Sequence, residues 1–501
     1  MRKQVILFSL LSIVVSFSYA QTDVDALRYS TPGVQGTARN VALGNTMGTI
    51  GADISSISTN PAGIAKFSST EFTLSPAISI NKSTSTYLDN SSKDSKVKFQ
   101  LANIGIVVVS RYANSSANKK WNGLKFGIAV NRLANFNSNY FFSGYNSKNS
   151  LLNNYYEKLN DRDYITDSTD AADNYPFDAS IAYQLGLISI DSLGNTYTAT
   201  NNGNMQQEFS IQKSGGINEL AIGFASSYKE KIMVGASIGI PIVNYTERIR
   251  LEEKDVRDSA YDLNSFLNET YLKTRGVGFN LKVGIIGMPI SNLRLSLAFQ
   301  TPGILFMKDA YQTHMEADYA SQSVIYTGDS PDGASKYKYV QPWKMTAGAG
   351  YIHKYGLVAV EYELSDASNS KIKIGLNDAN AKLYENYVNN LIKEKYGIFH
   401  TIKAGVEFKY DPIRIRGGIQ YRTSPFKNAS APTGINTASL TFSAGIGYRG
   451  KHFFADLAYV QTNFKELYVP YQLNTDAWKP VPAATLNTKR PSIIVTVGYK
   501  L

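Results

Sequence analysis

The chain contains no cysteine, only three tryptophans and only four histidines. The lack of cysteine excludes disulfides, cysteine-zinc sites, thiolate catalysis and a lipid anchor on an N-terminal cysteine. Neither an HExxH nor a GxSxG motif nor a metal-ligand spacing surrounds the histidines, which are His314, His353, His400 and His452. We therefore predict that the protein is not an enzyme and has neither a metal nor another cofactor.

Long apolar runs are also lacking after the N-terminus, so no later segment has the roughly 20 apolar residues of a spanning helix. The N-terminus itself has Arg2 and Lys3, an apolar stretch from Val5 to Phe17, and then Ser18-Tyr19-Ala20. This pattern predicts a secretory signal peptide over residues 1–20, with the mature chain beginning at Gln21.

A dominant charge of one sign is absent as well. Without Arg2 and Lys3 the chain has 49 basic and 40 acidic side chains, a net charge of +9. No basic run is long or clustered enough to predict a nucleic-acid surface. Basic residues near a membrane could instead meet anionic lipopolysaccharide.

What the chain has in abundance is period-two alternation of apolar and polar residues. In the last segment Ile493, Val495, Val497, Tyr499 and Leu501 share one face, and Ile494, Thr496, Gly498 and Lys500 share the other. A soluble half-buried sheet has the same period, and so does a transmembrane β-barrel with lipid on one face and a lumen on the other. In the barrel interpretation Val495 faces lipid and Thr496 faces the lumen.

The connections separate these two interpretations. Tight turns at Lys229–Lys231, Met288–Asn292, Lys354-Tyr355, Asp411-Pro412 and Gly450-Lys451 alternate with long connections. The long ones are 82–97, 139–214, 249–272, 307–338, 367–397, 425–436 and 464–489. Bacterial outer-membrane barrels have short periplasmic turns and long extracellular loops. The pattern therefore predicts an all-β transmembrane antiparallel barrel.

About fourteen strands are predicted from the turns and the alternation. They are 70–81, 98–112, 123–138, 215–228, 232–248, 273–288, 293–306, 339–353, 356–366, 398–410, 413–424, 437–449, 452–463 and 491–501. An even number places both strand termini in the periplasm, and closure removes exposed sheet edges.

A glycine- and serine-rich run, Gly44 to Ala65, precedes the first strand. It contains Asn60-Pro61-Ala62 near its end. Small residues allow close packing inside an enclosure, and proline biases Asn60 toward an extended conformation. An ordinary surface loop would have the same local features. The run alone therefore leaves both possibilities open.

The run resembles the N-terminal hatch of the long-chain fatty-acid transporter family (FadL/TodX), which carries an NPA motif inside a barrel. The segments Gly276–Pro302, His400–Tyr421 and Ala444–Val460 resemble that family's hairpins. The resemblance implies fourteen strands, a hatch or plug at 21–66 and a barrel at 67–501. It also implies a set of hatch and gate residues, namely Gly44, Gly48, Gly51, Asn60, Pro61 and Ala62.

Charged side chains lie on the predicted lumen face of four strands. They are Glu361, Glu363, Lys403, Glu407, Lys409, Arg414, Arg416, Arg422 and Asp456. Mixed signs on adjacent strands predict cross-strand ion pairs that hold the hatch or stiffen the wall. A site for a substrate carboxylate is the alternative, because arginine binds carboxylates in a bidentate manner.

Three of the long loops contain helical patterns. Asp378–Lys395 places Leu383, Tyr387, Val388, Leu391 and Ile392 on one face, and Ser150–Leu159 and Val256–Leu272 are shorter candidates. Such helices could form an apolar capture groove over the barrel mouth, or they could simply give the loops a small core of their own.

By resemblance, the chain is expected to be an outer-membrane channel for passive uptake of fatty acid-like or aromatic molecules, gated by the hatch. The expected setting is the outer membrane of a Gram-negative bacterium, as a monomer. The expected partners are a hydrophobic small-molecule ligand, outer-membrane lipids, lipopolysaccharide and the barrel-assembly machinery. The alternative is a non-transporting barrel that serves as a secretion-machinery component or a surface attachment platform.

Overall fold

The computed structural model describes residues 23–30, 33, 35–110, 120–160, 175–190, 197–200, 203–258, 262–375, 379–432 and 434–501. The predicted signal peptide lies outside these residues. The described part of the chain begins with helices α1 (Asp23–Ser30), α2 (Ala38–Ala42) and α3 (Met47–Ile50), followed by 3-10 turns at Ile54–Ser58 and Pro61–Lys66. The later helices are α4 (Leu151–Leu159), α5 (Ala179–Gln184) and α6 (Ala379–Lys395).

Strands make up most of the remaining described chain. They are β1 (Glu71–Tyr87), β2 (Asn90–Val109), β3 (Trp121–Asn135), β4 (Ser138–Asn146), β5 (Ile188–Ile190), β6 (Tyr197–Ala199), β7 (Met205–Tyr228), β8 (Ile232–Lys254), β9 (Leu263–Ile290), β10 (Leu293–Gln300), β11 (Ile304–Tyr319), β12 (Tyr326–Asp329), β13 (Gly333–Val340), β14 (Lys344–His353), β15 (Gly356–Asp366), β16 (Lys371–Lys373), β17 (Ile398–Tyr410), β18 (Ile413–Arg422), β19 (Ser439–Arg449), β20 (Phe453–Tyr468) and β21 (Ala484–Lys500).

Fourteen of these strands close into an antiparallel barrel. The wall runs β1-β2-β3-β7-β8-β9-β10-β14-β15-β17-β18-β19-β20-β21, and β21 pairs with β1 from Glu71↔Lys500 to Thr86↔Thr485. The predicted barrel and its strand number are thus confirmed. Strand β4 continues β3, while β11 and β13 continue β10 and β14 beyond short breaks, so the sheet rises above the barrel on the side of the long connections.

The outer face of the wall carries an apolar band. On β21 the side chains of Ile493, Val495 and Tyr499 are exposed, whereas Ile494 and Thr496 are buried toward the lumen. The predicted inside-outside register of this strand is therefore confirmed. None of the described helices is both long enough and apolar enough to cross a membrane.

The strands on the long-connection side extend further than the sequence predicts. Strands β1 and β2 meet at a tight turn, Leu88-Asp89, so most of the predicted 82–97 loop is strand. The helix predicted at Val256–Leu272 is wrong, because β9 starts at Leu263 and pairs with both β8 and β11. Pairing on both sides satisfies the backbone groups that a polar helix would otherwise have satisfied internally.

Two predicted loop helices are present. Helix α4 has Ser150 as its N-cap, and the Ser150 amide donates in turn to the Asn153 side chain. Helix α6 buries Ala381, Val388 and Ile392, but Leu383 and Tyr387 are 67% and 60% exposed, so its predicted apolar face is partly wrong. Its contact side is set by the aromatic and aliphatic residues beneath it, near Ile372 and Phe399.

Candidate functional site

The N-terminal hatch lies inside the barrel and bonds to strands around its circumference. The Ala38 amide donates to Thr496 Oγ1 on β21 at 2.7 Å, and the Thr49 amide donates to Glu361 Oε1 on β15 at 2.7 Å. The Ser237 hydroxyl of β8 donates to the hatch carbonyl of Ile57 at 2.8 Å. The hatch is therefore held from several directions at once.

Glycines on the lumen face of the wall make room for the hatch. A Cβ added to Gly418 would lie 2.2 Å from the Gly44 amide nitrogen, and one added to Gly284 would lie 1.9 Å from Asn60 Oδ1. These wall glycines were not predicted as site residues, although their inward positions can be derived from the alternation. Further close contacts of this kind occur at Gly235, Gly348, Gly405 and Gly445.

The gate residues implied by the resemblance are all buried among the wall strands or at turns of the hatch. Gly44 and Gly51 have φ of +64° and +70°, a backbone conformation that glycine adopts without strain. Asn60 is extended and its side chain accepts from the Ala62 amide, which caps the 3-10 turn that begins at Pro61. A Cβ on Gly48 would lie 3.1 Å from Glu361 Oε1.

The first group of lumen charges joins β14, β15 and β17. Lys403 Nζ lies 2.8 Å from Glu363 and 3.9 Å from Glu361, and Lys344 lies 3.2 Å from the other oxygen of Glu363. Arg422 lies at the same level and donates to Thr401. Glu361 also accepts the hatch amide of Thr49, so this group connects the wall to α3.

The second group joins β17, β18 and β20. Arg416 donates to Glu407 and to Asp456, both at 2.6 Å, and Arg39 of the hatch lies 3.6 Å from Glu407. Arg414 and Lys409 belong to neither group of lumen charges. Both pair with Asp411 at the β17–β18 turn. The paired arginines thus already have protein carboxylates as partners, which is the arrangement expected for hatch and wall contacts.

The wall has a gap on one side, between β2 and β3. These strands pair only from Asn103↔Asn131 to Val109↔Lys125, and β3 then breaks before Ser138. Above that level β2 pairs with β1 alone. A cavity of about 310 Å³ lies in this wall gap, lined by Phe99, Leu101, Val130, Arg132, Asn137 and Asn218 among others.

The hatch covers the wall gap from within. The Gly33 amide donates to the Leu133 carbonyl and the Gln35 amide to the Arg132 carbonyl, both at 2.9 Å. The Gln100 side chain of β2 donates to the side chain of Gln35 at 3.1 Å. The hatch thus donates hydrogen bonds to two β3 carbonyls, those of Arg132 and Leu133, at the level where β3 no longer pairs with β2.

Helix α1 fills the lumen above the gap and touches the elements on the side of the long connections. The Tyr339 hydroxyl donates to the Ala26 carbonyl at 2.7 Å, and Tyr29 is fully buried. Asp23 accepts from Lys395 of α6 and from the Tyr396 hydroxyl, both at 3.1 Å. This helix was not predicted, because its eight residues have little apolar periodicity.

The histidines do not form a constellation in the described structure. His314 bonds Asp329 and Glu316 between β11 and β12, and His400 bonds the Tyr362 hydroxyl on the outer face of the wall. Across the described residues, no three His, Asp or Glu side chains are grouped as metal ligands.

Comparison with known proteins gives structural matches alone. No protein-family model and no curated protein matches the sequence. The crystal structure of a Pseudomonas aeruginosa FadL homologue matches with a TM-score of 0.53 at 11% identity, covering 93% of this chain and 98% of that one. The Pseudomonas putida toluene transporter TodX matches with a TM-score of 0.51 at 11% identity, covering 93% and 99%. The chain therefore has the FadL/TodX fold, a closed fourteen-stranded β-barrel with its N-terminal segment inside.

Proposed function

We propose that the protein is a channel of the Gram-negative outer membrane for passive uptake of hydrophobic or amphipathic small molecules, with the hatch as its gate. The observation that carries the proposal is the wall gap, which is open between β2 and β3 and covered from inside by Gly33 and Gln35. Fatty acid-like and aromatic molecules are the proposed ligands, in keeping with the toluene transporter among the similar structures. The protein performs no catalysis in this proposal.

A lateral exit suits an apolar solute. Phe99 and Leu101 are exposed on the outer side of the gap, so a ligand leaving there would enter the apolar part of the membrane and not water. The 310 Å³ of the cavity is at the lower end of the range for small-molecule sites, about 300–1,000 Å³. A ligand of this size fits without rearrangement of the barrel strands.

Breaking the seal over the gap costs little in this geometry. Among the described residues, the seal includes two backbone hydrogen bonds from Gly33 and Gln35 and one side-chain bond from Gln100. Each neutral hydrogen bond contributes a net of about 0.5–1.5 kcal/mol. Breaking these three bonds therefore costs on the order of 2–4 kcal/mol, which is within reach of ligand binding, and the movement of α1 adds to this cost.

A second candidate function is a non-transporting barrel that serves a secretion machinery or anchors a surface assembly. The filled lumen favours it, because α1 and the hatch occupy the space that a solute would need. In the channel proposal the same contacts define a closed state, and ligand passage requires the hatch and α1 to move.

The two functions are distinguished by locking the hatch. Thr49 Oγ1 and Ser296 Oγ of β10 are 2.8 Å apart, and the chain has no other cysteine to interfere. We expect the double variant Thr49→Cys/Ser296→Cys to form a disulfide. Oxidation should then abolish uptake of a fluorescent long-chain fatty acid or of labelled toluene into proteoliposomes, and reduction should restore it.

The single variant Thr49→Cys is the control, and its uptake should not respond to oxidation. Equal uptake by the oxidised and reduced double variant would contradict gating by the hatch. No uptake by the parent protein, with either solute, would favour the non-transporting barrel.

A further inference from the structure

Six exposed basic residues form a patch on the outer surface of the sheet, here called the outer cationic patch. They lie on the neighbouring strands β9, β11, β13 and β16, and they point outward because residues next to them along each strand are buried. The six are Arg275, Lys308, Lys336, Lys338, Lys371 and Lys373.

The strand register places these like charges opposite one another. Lys308 is paired with Arg275 on one side and with Lys336 on the other, and Lys338 is paired with Lys373. Opposite side chains in a sheet have Cβ atoms about 4.5–5.5 Å apart, and like charges in such pairs are destabilising. Within the described ranges, none of the six is paired with a carboxylate.

The basic residues on the neighbouring strand β8 differ from the patch. Arg248 pairs with Glu269, while Arg250 and Lys254 both pair with Glu252. The protein thus compensates the cations of β8 and leaves those of the patch uncompensated. This difference points to an anion supplied from outside the chain.

The patch begins where the apolar band of the wall ends. Along β9, from the apolar band toward the long connections, the outward side chains are Phe279, Val277 and then Arg275. On β11 Phe306 lies directly beside Val277, and Lys308 is the next outward side chain. The Lys338 ammonium lies 5.7 Å from the centre of the Phe306 ring. An amphiphile with its chains against the apolar residues would therefore present its head group to the patch.

We propose that the outer cationic patch binds the phosphorylated head group of lipopolysaccharide in the outer leaflet. Lysine and arginine are the usual partners of phosphate, and a lipid phosphate would relieve the repulsion between the opposed cations. The apolar residues directly below select a lipid over a soluble anion. The proposal rests on the outer-membrane placement of the barrel and does not depend on transport.

The test is a titration of the full-length purified protein with bisphosphorylated lipid A in detergent, followed by native mass spectrometry. The variant Lys308→Gln/Lys336→Gln removes two patch cations. Each cation near an anionic surface contributes roughly a fivefold gain in affinity, so we expect binding about 25-fold weaker. The control Arg250→Gln/Lys254→Gln removes the same charge from paired cations and should stay within about twofold of the parent.

Heat-modifiable migration shows whether each variant is folded. If the double variant does not fold, Lys336→Gln alone replaces it, and we expect this variant to bind roughly fivefold more weakly than the parent. Equal binding by the patch and control variants would overturn the proposal, as would equal binding of dephosphorylated lipid A. Patch-dependent binding of soluble polyphosphate as tight as that of lipid A would assign the patch to a soluble anion and also overturn it. None of these outcomes bears on solute uptake, which the hatch lock tests separately.

Discussion

The contact between Gly418 and the hatch allows a one-methyl test of the plug. Replacing Gly418 with alanine would place a Cβ 2.2 Å from the Gly44 nitrogen and 2.7 Å from its Cα. These are backbone atoms, which cannot rotate away, so the hatch must move by about 1 Å to reach ordinary van der Waals contact. Overpacking of this kind typically costs about 1–3 kcal/mol.

The adjacent Gly417 provides the matched control on the same strand. Its Cβ would point to the other face of the wall, with its nearest neighbour, Val406 Cγ1, at 3.8 Å. Gly417→Ala should therefore be neutral or slightly stabilising, because glycine within a strand costs roughly 0.5–1 kcal/mol relative to alanine.

Conductance in planar bilayers measures the outcome. Gly418→Ala should insert as a heat-modifiable barrel, since the wall strands retain their own hydrogen bonds, and should conduct ions more than the parent protein. Gly417→Ala should conduct as the parent does. If Gly418→Ala matches the parent in conductance and in hydrogen exchange around Gly44, the close contact and the plug interpretation built on it are refuted.

Three further predictions concern the gate, the lipid face and the packing of Glu253 against α4. Deleting residues 44–65 should leave an inserted but leaky barrel that sensitises cells to bulky antibiotics, whereas Pro61→Ala should preserve assembly and change solute uptake. Val495→Arg should cost about 2–4 kcal/mol in barrel stability, measured by urea unfolding, because it puts a charge on the lipid face. Burial raises the pKa of Glu253, beneath α4, to about 7 against the lowering effect of hydrogen bonds from Ser150, Leu151 and Gln207. The folded structure around α4 therefore favours the protonated carboxyl, and the stability that this gives should be full below pH 4.5 and be lost as pH rises through about 7. Glu253→Gln should remove this decline, seen as equal protection factors of the α4 amides at pH 5 and pH 8 once the pH dependence of intrinsic exchange is divided out.

The barrel could be predicted from the sequence because its signals are local. Alternating segments such as that around Val495 and tight turns such as Lys354-Tyr355 are encoded by neighbouring residues, and they predict both the strand number and the side of each connection. The upper parts of β1 and β2 are largely polar on both faces, so nothing in their composition distinguishes paired strand from loop. The upper part of β9 buries Leu263, Phe266 and Leu267, a spacing that also suits a helix. Their pairing is set by the strands beside them.

The site depends on longer-range relations and was less accessible. The sequence predicts one continuous strand over 123–138, whereas the structure breaks it before Ser138. The break accompanies the loss of pairing with β2, which depends on both strands and so has no signal in the sequence of either one. The alternation predicts a lumen position for Glu361, Glu407 and Arg416. It cannot predict the hatch partners Thr49 and Arg39, which come from more than 300 residues away in the chain. Their gating role remains a prediction.

The bonds of the hatch to distant strands constrain the order of folding. The Ala38 amide donates to Thr496, 458 residues later in the sequence. This acceptor reaches its place in the wall only when the last strand has paired with the first. Closing a loop of that length is slow, and it cannot precede barrel closure. The N-terminal segment, although first in the chain, must therefore wait and settle last. Its glycine- and serine-rich composition, with little apolar periodicity, would disfavour a stable structure of its own during that wait.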